Sequence, residues 1–505
     1  MNRPHWLFSS ADYNFLKPAY WFGDVDARPL GLFRIAFALL ILKEAIYHLF
    51  VAEVWYSDAG MLPARLLTRV APNMPTLMSP FSDTWMAMVF FGLWVVVALL
   101  LLLGWQTRVM SVLNWVLLIS VINRNPLVAT GADSVMQAFA FWSLFLPLGR
   151  AYALDARRRG EQGAARVFAF PVRMLQIQIA LIYIFTTIFK LQGQTWQSGD
   201  ALYMAMQVRM HTFPVAEWLL ANASISVLRT VTYMALLIEG GFALLVFFPL
   251  FQPYLRATGL IAGIGLHVGI ALVMNIPNFP LVMITGYLVL IDPRWLDWFK
   301  QRGRTRSQTP LMLPVPATAP EPAGCAATLA GIPAAMGKGA YRALLAAVLI
   351  GAMGSIIWAN ILSDDLLAVR LRTPAMPMAL EQGLRAVGLW ESWAMFAPDP
   401  LRFEGWFGLN GIFSGEGIRD VRNPTDRPHW YVGPEARWGK LEENLMTKDK
   451  DDPLFSAWAV YTCRQYLDSG ITGLEIVLYS RATSIPGQPF LPYQTTVIRG
   501  ASCIG

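Results

Sequence analysis

The chain has 505 residues, of which 55% are hydrophobic, 13% aromatic and only 14% charged, with a formal net charge of +7. That composition excludes an ordinary soluble globular protein and indicates a polytopic membrane protein. The basic excess collects in loops between apolar runs, where topology puts it, so no nucleic-acid partner is expected and membrane lipids are.

In chain order, Met1 to Gly23 is mixed, aromatic and interrupted by Pro4 and Pro18, unlike a cleaved leader, so the first apolar helix is expected to be retained. A spanning helix takes about 20 mostly apolar residues. Such runs lie near 30–50, 85–105, 226–249, 257–274 and 341–362; shorter or more polar candidates at 108–122, 132–149, 174–190 and 279–292 bring the expected total to nine. With nine, the basic stretches "GRAYALDARRRGEQGAARVFAFPVR" and "DPRWLDWFKQRGRTR" share one side. The N-terminus and both stretches are then cytoplasmic, while 52–84, 191–224 and everything after 362 face outward from the inner (cytoplasmic) membrane.

The expected organisation is a helical bundle over 1–297, a Pro/Ala-rich cytoplasmic linker over 298–340, a last helix at 341–362, and an extracytoplasmic domain over 363–505. In that small, β-rich domain "WAVYTCRQYL", "LEIVLYSRA" and "YQTTVIRGA" have the β-branched and aromatic content of strands. The cysteines are Cys325, Cys463 and Cys503, without a CxxC or Cys/His cluster, so no metal site is expected. Cys463 and Cys503 either pair outside the cytoplasm or stay as buried thiols.

An ionisable group inside a bilayer costs roughly 2.5–3.5 kcal/mol on insertion scales and needs a partner or a polar cavity. Lys43, Glu44, His48, Asp133, Lys190, Glu239 and His267 all fall within proposed spans and are expected to converge on an outward-opening cavity. Tyr183, Thr186 or Thr187, and Lys190 are spaced as one polar stripe on a helix that has no other need of one. Bland readings stand beside these: Lys190 snorkels to the interface, Glu44 and His48 satisfy each other, His267 is a packing residue, and Glu239 is buried against a cation by close approach at Gly240 and Gly241.

The stretches "DARPLGLFRIAFALLIL", "WYSDAGMLP", "YIFTTIFKLQGQTWQSGDALYMAM" and "HVGIALVMNIPNFPLVMI" together resemble the HTTM family, bacterial membrane proteins related to vitamin K-dependent gamma-carboxylase. "LWESWAMFAPDPLRFEGW" resembles the stretch that follows the last helix in such proteins. The resemblance implies that Lys190 stands at the carboxylase's base and that His267 matches a histidine on a later helix. Asp133, Glu239, Tyr183, Trp196 and Arg34 are taken as cavity-lining or supporting residues. It further implies reduced vitamin K or another quinol as cofactor, with O2 and CO2 as co-substrates, and a secreted peptide or protein as substrate. Phe189 replaces a second lysine of the carboxylase, and Asp133 replaces a histidine.

A water-poor site favours the neutral amine that a lysine base needs. On that reading Lys190→Arg abolishes activity, and Lys190→Met does the same while slightly raising stability, as an unneeded buried charge is removed. The alternatives are a non-catalytic membrane partner in peptide maturation or export, and a transporter, for which no internal repeat is found.

Overall fold

A computed structural model describes residues 13–72, 74–161, 165–304, 337–415, 417–421 and 435–503. Ten of its helices build the membrane-associated part: α1 (Arg28–Phe50), α2 (Thr84–Leu103), α3 (Thr107–Arg124), α4 (Gly131–Ser143), α5 (Ala169–Lys190), α6 (Ile225–Phe247), α7 (Tyr254–Val273), α8 (Phe279–Tyr287), α9 (Pro293–Arg304) and α10 (Lys338–Leu362). Their boundaries follow local chemistry. Pro29 sits in the first turn of α1, where its missing N–H costs nothing. α2 ends on Gly104 in the left-handed region at φ 71°, and a Cβ there would lie 2.2 Å from Arg34 Nη1. α4 begins with a capping box between Thr130 and Asp133.

Several expected bounds shift. The run 132–149 is helical only to Ser143, because Pro147 has no N–H to offer the Ser143 carbonyl and its ring would clash with it in a continued helix. The run 279–292 ends as α8 at Tyr287 with a 3-10 turn at Leu288–Leu290, and the chain then bends by 88° into α9 at Pro293. The first part of the expected linker is therefore helix: Trp295, Trp298 and Phe299 alternate with cations at amphipathic spacing. The linker's residues 305–336 lie outside the described residues, and α10 starts at Lys338, three residues early.

Among the described residues, five helices are long and apolar enough to cross a membrane, namely α2, α5, α6, α7 and α10, or six if the bent pair α8–α9 is one span. α1 has the length but carries Arg34, Lys43 and Glu44, and α4 is only 13 residues long.

The ends of the bundle are distinguished by their contacts. At one end β1 (Asp24–Asp26) pairs antiparallel with β2 (Arg166–Phe168), Asp155 accepts from the backbone and hydroxyl of Thr107, and Arg342 pairs with Asp24. The other end carries the C-terminal region, whose antiparallel sheet has the order β4-β3-β5-β6, with β3 at Phe403–Phe413, β4 at Gly417–Asp420, β5 at Ile471–Ala482 and β6 at Gln494–Ser502. β3 and β5 pair along their length, from Phe403↔Ala482 to Phe413↔Ile471. Helices α11 (Ala436–Met446) and α12 (Pro453–Tyr466) cover one face, where Phe407, Phe455 and Trp458 pack ring to ring.

The expected strands "LEIVLYSRA" and "YQTTVIRGA" lie in β5 and β6, but "WAVYTCRQYL" lies almost entirely in α12. Asp452 caps that helix and Pro453 opens it. Leu454, Phe455, Trp458, Thr462 and Cys463 bury one helical face, a period that outweighs the β-branched composition. The region is thus mixed helix and sheet. Cys463 and Cys503 are joined as a disulfide, tying α12 to the end of β6.

Candidate functional site

The stripe on α5 faces the bundle interior, with Tyr183, Thr186 and Lys190 all buried. Lys190 is the last residue of α5, where the partial negative charge of the helix end favours a cation. Its Nζ donates to both carboxylate oxygens of Glu239 at 2.8 Å, and it lies 4.4 Å from the Trp196 ring centroid. Lys190 is 6% exposed and Glu239 7%. Gly240 permits the approach: a Cβ there would come within 3.2 Å of the Thr187 methyl. The cation that buries Glu239 is therefore Lys190, so this lysine is an ion-pair partner and not a free interfacial amine.

Two turns earlier, the Tyr183 hydroxyl stands 2.6 Å from His267 Nε2 and is hydrogen-bonded to the Tyr287 hydroxyl. Phe242 packs on both tyrosine rings, with centroid distances of 4.5 and 5.3 Å, and Phe279 packs edge-on to His267. Gly263 makes room for Tyr287, whose hydroxyl would be 2.5 Å from a Cβ there. Among the described residues, His267 Nδ1 and Thr187 Oγ1 are buried without a hydrogen-bond partner. An unmet buried polar atom is costly, and these two lie beside the ion pair.

Asp133 belongs to a neighbouring cluster. Its carboxylate caps α4 through Thr130 and also accepts from Arg437 of α11 at 3.2 and 3.3 Å. Arg437 reaches Glu44 at 2.8 Å, and Asn278 donates to the other Glu44 oxygen at 2.6 Å and accepts from Lys43. Glu44 and His48 therefore do not satisfy each other. His48 instead stacks on Trp94 with its Nδ1 unmet, beside a cavity of about 10 Å³ also lined by Glu44, Asn125, Asp133 and Arg437. That is room for roughly one water.

The structure thus brings together Lys190, Glu239, Tyr183, His267 and Trp196, sets Asp133 in a second cluster, and leaves Arg34 at the opposite end. There Arg34 donates to the carbonyls of Leu148 and Tyr152. The expected single cavity is two packed clusters, because Lys190 neutralises Glu239 in one while Glu44 and Asp133 share Arg437 in the other. Sequence reading missed Tyr287, a lone tyrosine in an apolar run, and Arg437, which no local pattern connects to the bundle.

A family model described as the HTTM domain matches residues 22–295. The protein named "Uncharacterized protein YitO" of Bacillus subtilis (strain 168) is 27% identical over 209 residues, covering 39% of this chain and 65% of the relative. This chain therefore spans just under two thirds of that relative's length. No solved structure matches. The matched segment contains Lys190, Glu239, His267, Tyr183, Tyr287 and Trp196, and with more than half of its residues under that model the chain belongs to the HTTM domain family.

Proposed function

We propose that this chain is a nine-span protein of the inner (cytoplasmic) membrane, N-terminus inside and sheet region outside, that modifies a secreted peptide with the help of a lipid quinol. The family is related to vitamin K-dependent carboxylase-like proteins. Two observations support the orientation: the loops bearing Arg157, Arg158, Arg159 and Lys300 are at the end away from the sheet, and the sheet region holds a disulfide, a bond of oxidising compartments.

The observation that carries the chemistry is the closed pair of Lys190 and Glu239 against Trp196, with an unmet His267 nitrogen alongside. A quinol suits these residues: its ring matches the aromatic surfaces of Trp196, Tyr183 and Phe242, and its hydroxyls match the unmet atoms of His267 and Thr187. When bound and oxidised by O2, it would supply the strong base that takes a proton from the γ-carbon of a peptide glutamate, to which CO2 then adds. Lys190 Nζ donates to both Glu239 oxygens, so the atom of the pair with a lone pair left to accept a proton is a Glu239 oxygen. Lys190 then holds the hydroxyl oxygen that gives up the proton. The hydrogen-bonded pair of Tyr183 and His267 is a second place where that proton would be held.

Native mass spectrometry of the purified protein tests this reading, with a bound quinone expected. Lys190→Arg keeps the charge for Glu239 and is expected to retain the fold, yet its planar fork cannot hold the hydroxyl oxygen where the compact ammonium does, and incorporation of labelled CO2 should fall about a hundredfold. A second reading, a non-catalytic partner held together by a structural ion pair, is favoured by the low exposure of the pair. It gains if only phospholipid copurifies and Lys190→Arg behaves as wild type.

A further inference from the structure

The motif "LWESWAMFAPDPLRFEGW" contains a strap that the Lys190 site has not explained. Between the helix Met378–Ala386 and β3, residues 388–399 cross the sheet end of the bundle without helix or strand. The strap is pinned at every step. Gly388 packs on the Gln137 amide of α4, and Glu391 is 7% exposed and hydrogen-bonded to Ser134 of the same helix. The Trp393 carbonyl accepts from Thr186 Oγ1 at 2.9 Å, and the Phe396 carbonyl accepts from Trp196 Nε1 at 2.8 Å. Asp399 accepts from the backbone and hydroxyl of Thr195 at 2.8 and 2.6 Å. At Gly193 a Cβ would stand 1.6 Å from the Pro398 carbonyl oxygen, so the glycine of "FKLQGQTW" is where the strap passes.

The donors that hold the strap belong to the Lys190 site: Thr186 is one turn before Lys190, and the Trp196 ring faces its ammonium. Side chains donating to main-chain carbonyls recognise an extended chain whatever its sequence, while a pocket at one position selects a side chain. Here the selected side chain is a carboxylic acid, on Ser134. The fit is incomplete. Trp393 is 1% exposed with its Nε1 unmet, and burial pushes the Glu391 carboxyl up to about 8, the Asp133 charge adding to the effect and the Ser134 bond opposing it.

The geometry points to a peptide-docking groove bounded by α4, the end of α5 and the helix Gln194–Ser198, in which residues 388–399 are the resident occupant and a glutamate-containing peptide is the exchangeable one. The occupant's identity rests on the peptide-modifying reading; the groove and its donors do not. While the strap is seated, an added peptide sees its intrinsic affinity reduced by the fraction of molecules with an open groove.

The test uses the full chain in nanodiscs, a fluorescent synthetic peptide of residues 388–399 and a scrambled control. Trp393→Ala removes the strap's anchor and leaves every groove donor in place. Strap amides are expected to exchange at least tenfold faster, and the peptide to bind at least tenfold tighter than to wild type, with the scrambled peptide unchanged. Thr186→Val added to that variant should return about a tenfold loss. If Trp393→Ala does not fold, Met395→Ala, which frees the strap beside Gly131, decides. Unchanged strap exchange, or faster exchange without preference for the native peptide, overturns the groove. Lys190→Arg should bind both peptides as wild type does. Selective binding without any CO2 incorporation keeps the groove and refutes the enzymatic reading.

Discussion

Removing Lys190 tests how the buried pair is balanced. The Lys190 and Glu239 side chains are 7% and 9% exposed and meet through two 2.8 Å bonds. Replacing a buried pair by packed apolar groups is often neutral or stabilising, whereas deleting one partner leaves an uncompensated charge and costs roughly 3–5 kcal/mol. Lys190→Met should therefore destabilise the bundle by that order, not stabilise it slightly as for a lone buried lysine. Glu239→Met should cost about as much, and the double variant should recover most of the loss. The coupling in a double-mutant cycle is then roughly 3 kcal/mol or more. Reversible unfolding in mild detergent, followed by tryptophan fluorescence, measures it. If Lys190→Met matches wild type at neutral pH and the cycle closes to within about 0.5 kcal/mol, the ion pair is not what holds α5 against α6 and the reasoning fails.

Arg437→Met strands Glu44 and Asp133 together, so it should cost roughly 3–5 kcal/mol and speed amide exchange throughout α11; exchange no faster than in wild type refutes the latch. Glu443 is buried, which pushes its carboxyl up, but the hydrogen bond from His211, with the charges of His211 and Lys440, outweighs this and holds it down at about 2. A depressed carboxyl stabilises fully above its ordinary value near 4.5 and not at all below about 2, so roughly 3 kcal/mol should be lost as pH falls through that window. An acid titration of Glu443→Gln should be flatter there than that of wild type. Reducing Cys463–Cys503 opens a loop with a sequence separation of 40, which is expected to cost the C-terminal region roughly 2–4 kcal/mol, read as its earlier proteolysis under dithiothreitol. Proteolysis that ignores the reductant would count against the pairing.

The site was legible wherever one helix carried the signal. The spacing of Tyr183, Thr186 and Lys190 is a property of α5 alone, and Glu239 next to Gly240 already announces close helix approach. What stayed hidden depends on distant chain. Nothing around Asp133 distinguishes a cavity acid from a helix cap that also awaits Arg437, 304 residues away. The misreading of α12 has a different origin. Its tyrosine, threonine, tryptophan and valine carry strand propensity, while the buried face that makes it a helix becomes visible only against the sheet. The bend at Pro293 and the helix after it were not expected, since the residues from 298 were read as linker; Trp295, Trp298 and Phe299 carry an amphipathic spacing that hydropathy alone does not register.

The reach of Arg437 into the bundle also sets an order of events during synthesis. Glu44 is made 393 residues before the arginine that neutralises it, and at ordinary elongation rates of about 5–20 residues per second it waits roughly 20–80 seconds. Throughout that interval the acids of α1 and, once it is made, of α4 lack Arg437, with only the exposed Lys43 3.7 Å from Glu44, so the young bundle must leave them near water. It can close only once the C-terminal region has been delivered and folded. A chain stopped before Arg437 is, on this account, no smaller version of the protein but an unfinished one, a natural substrate for membrane quality control.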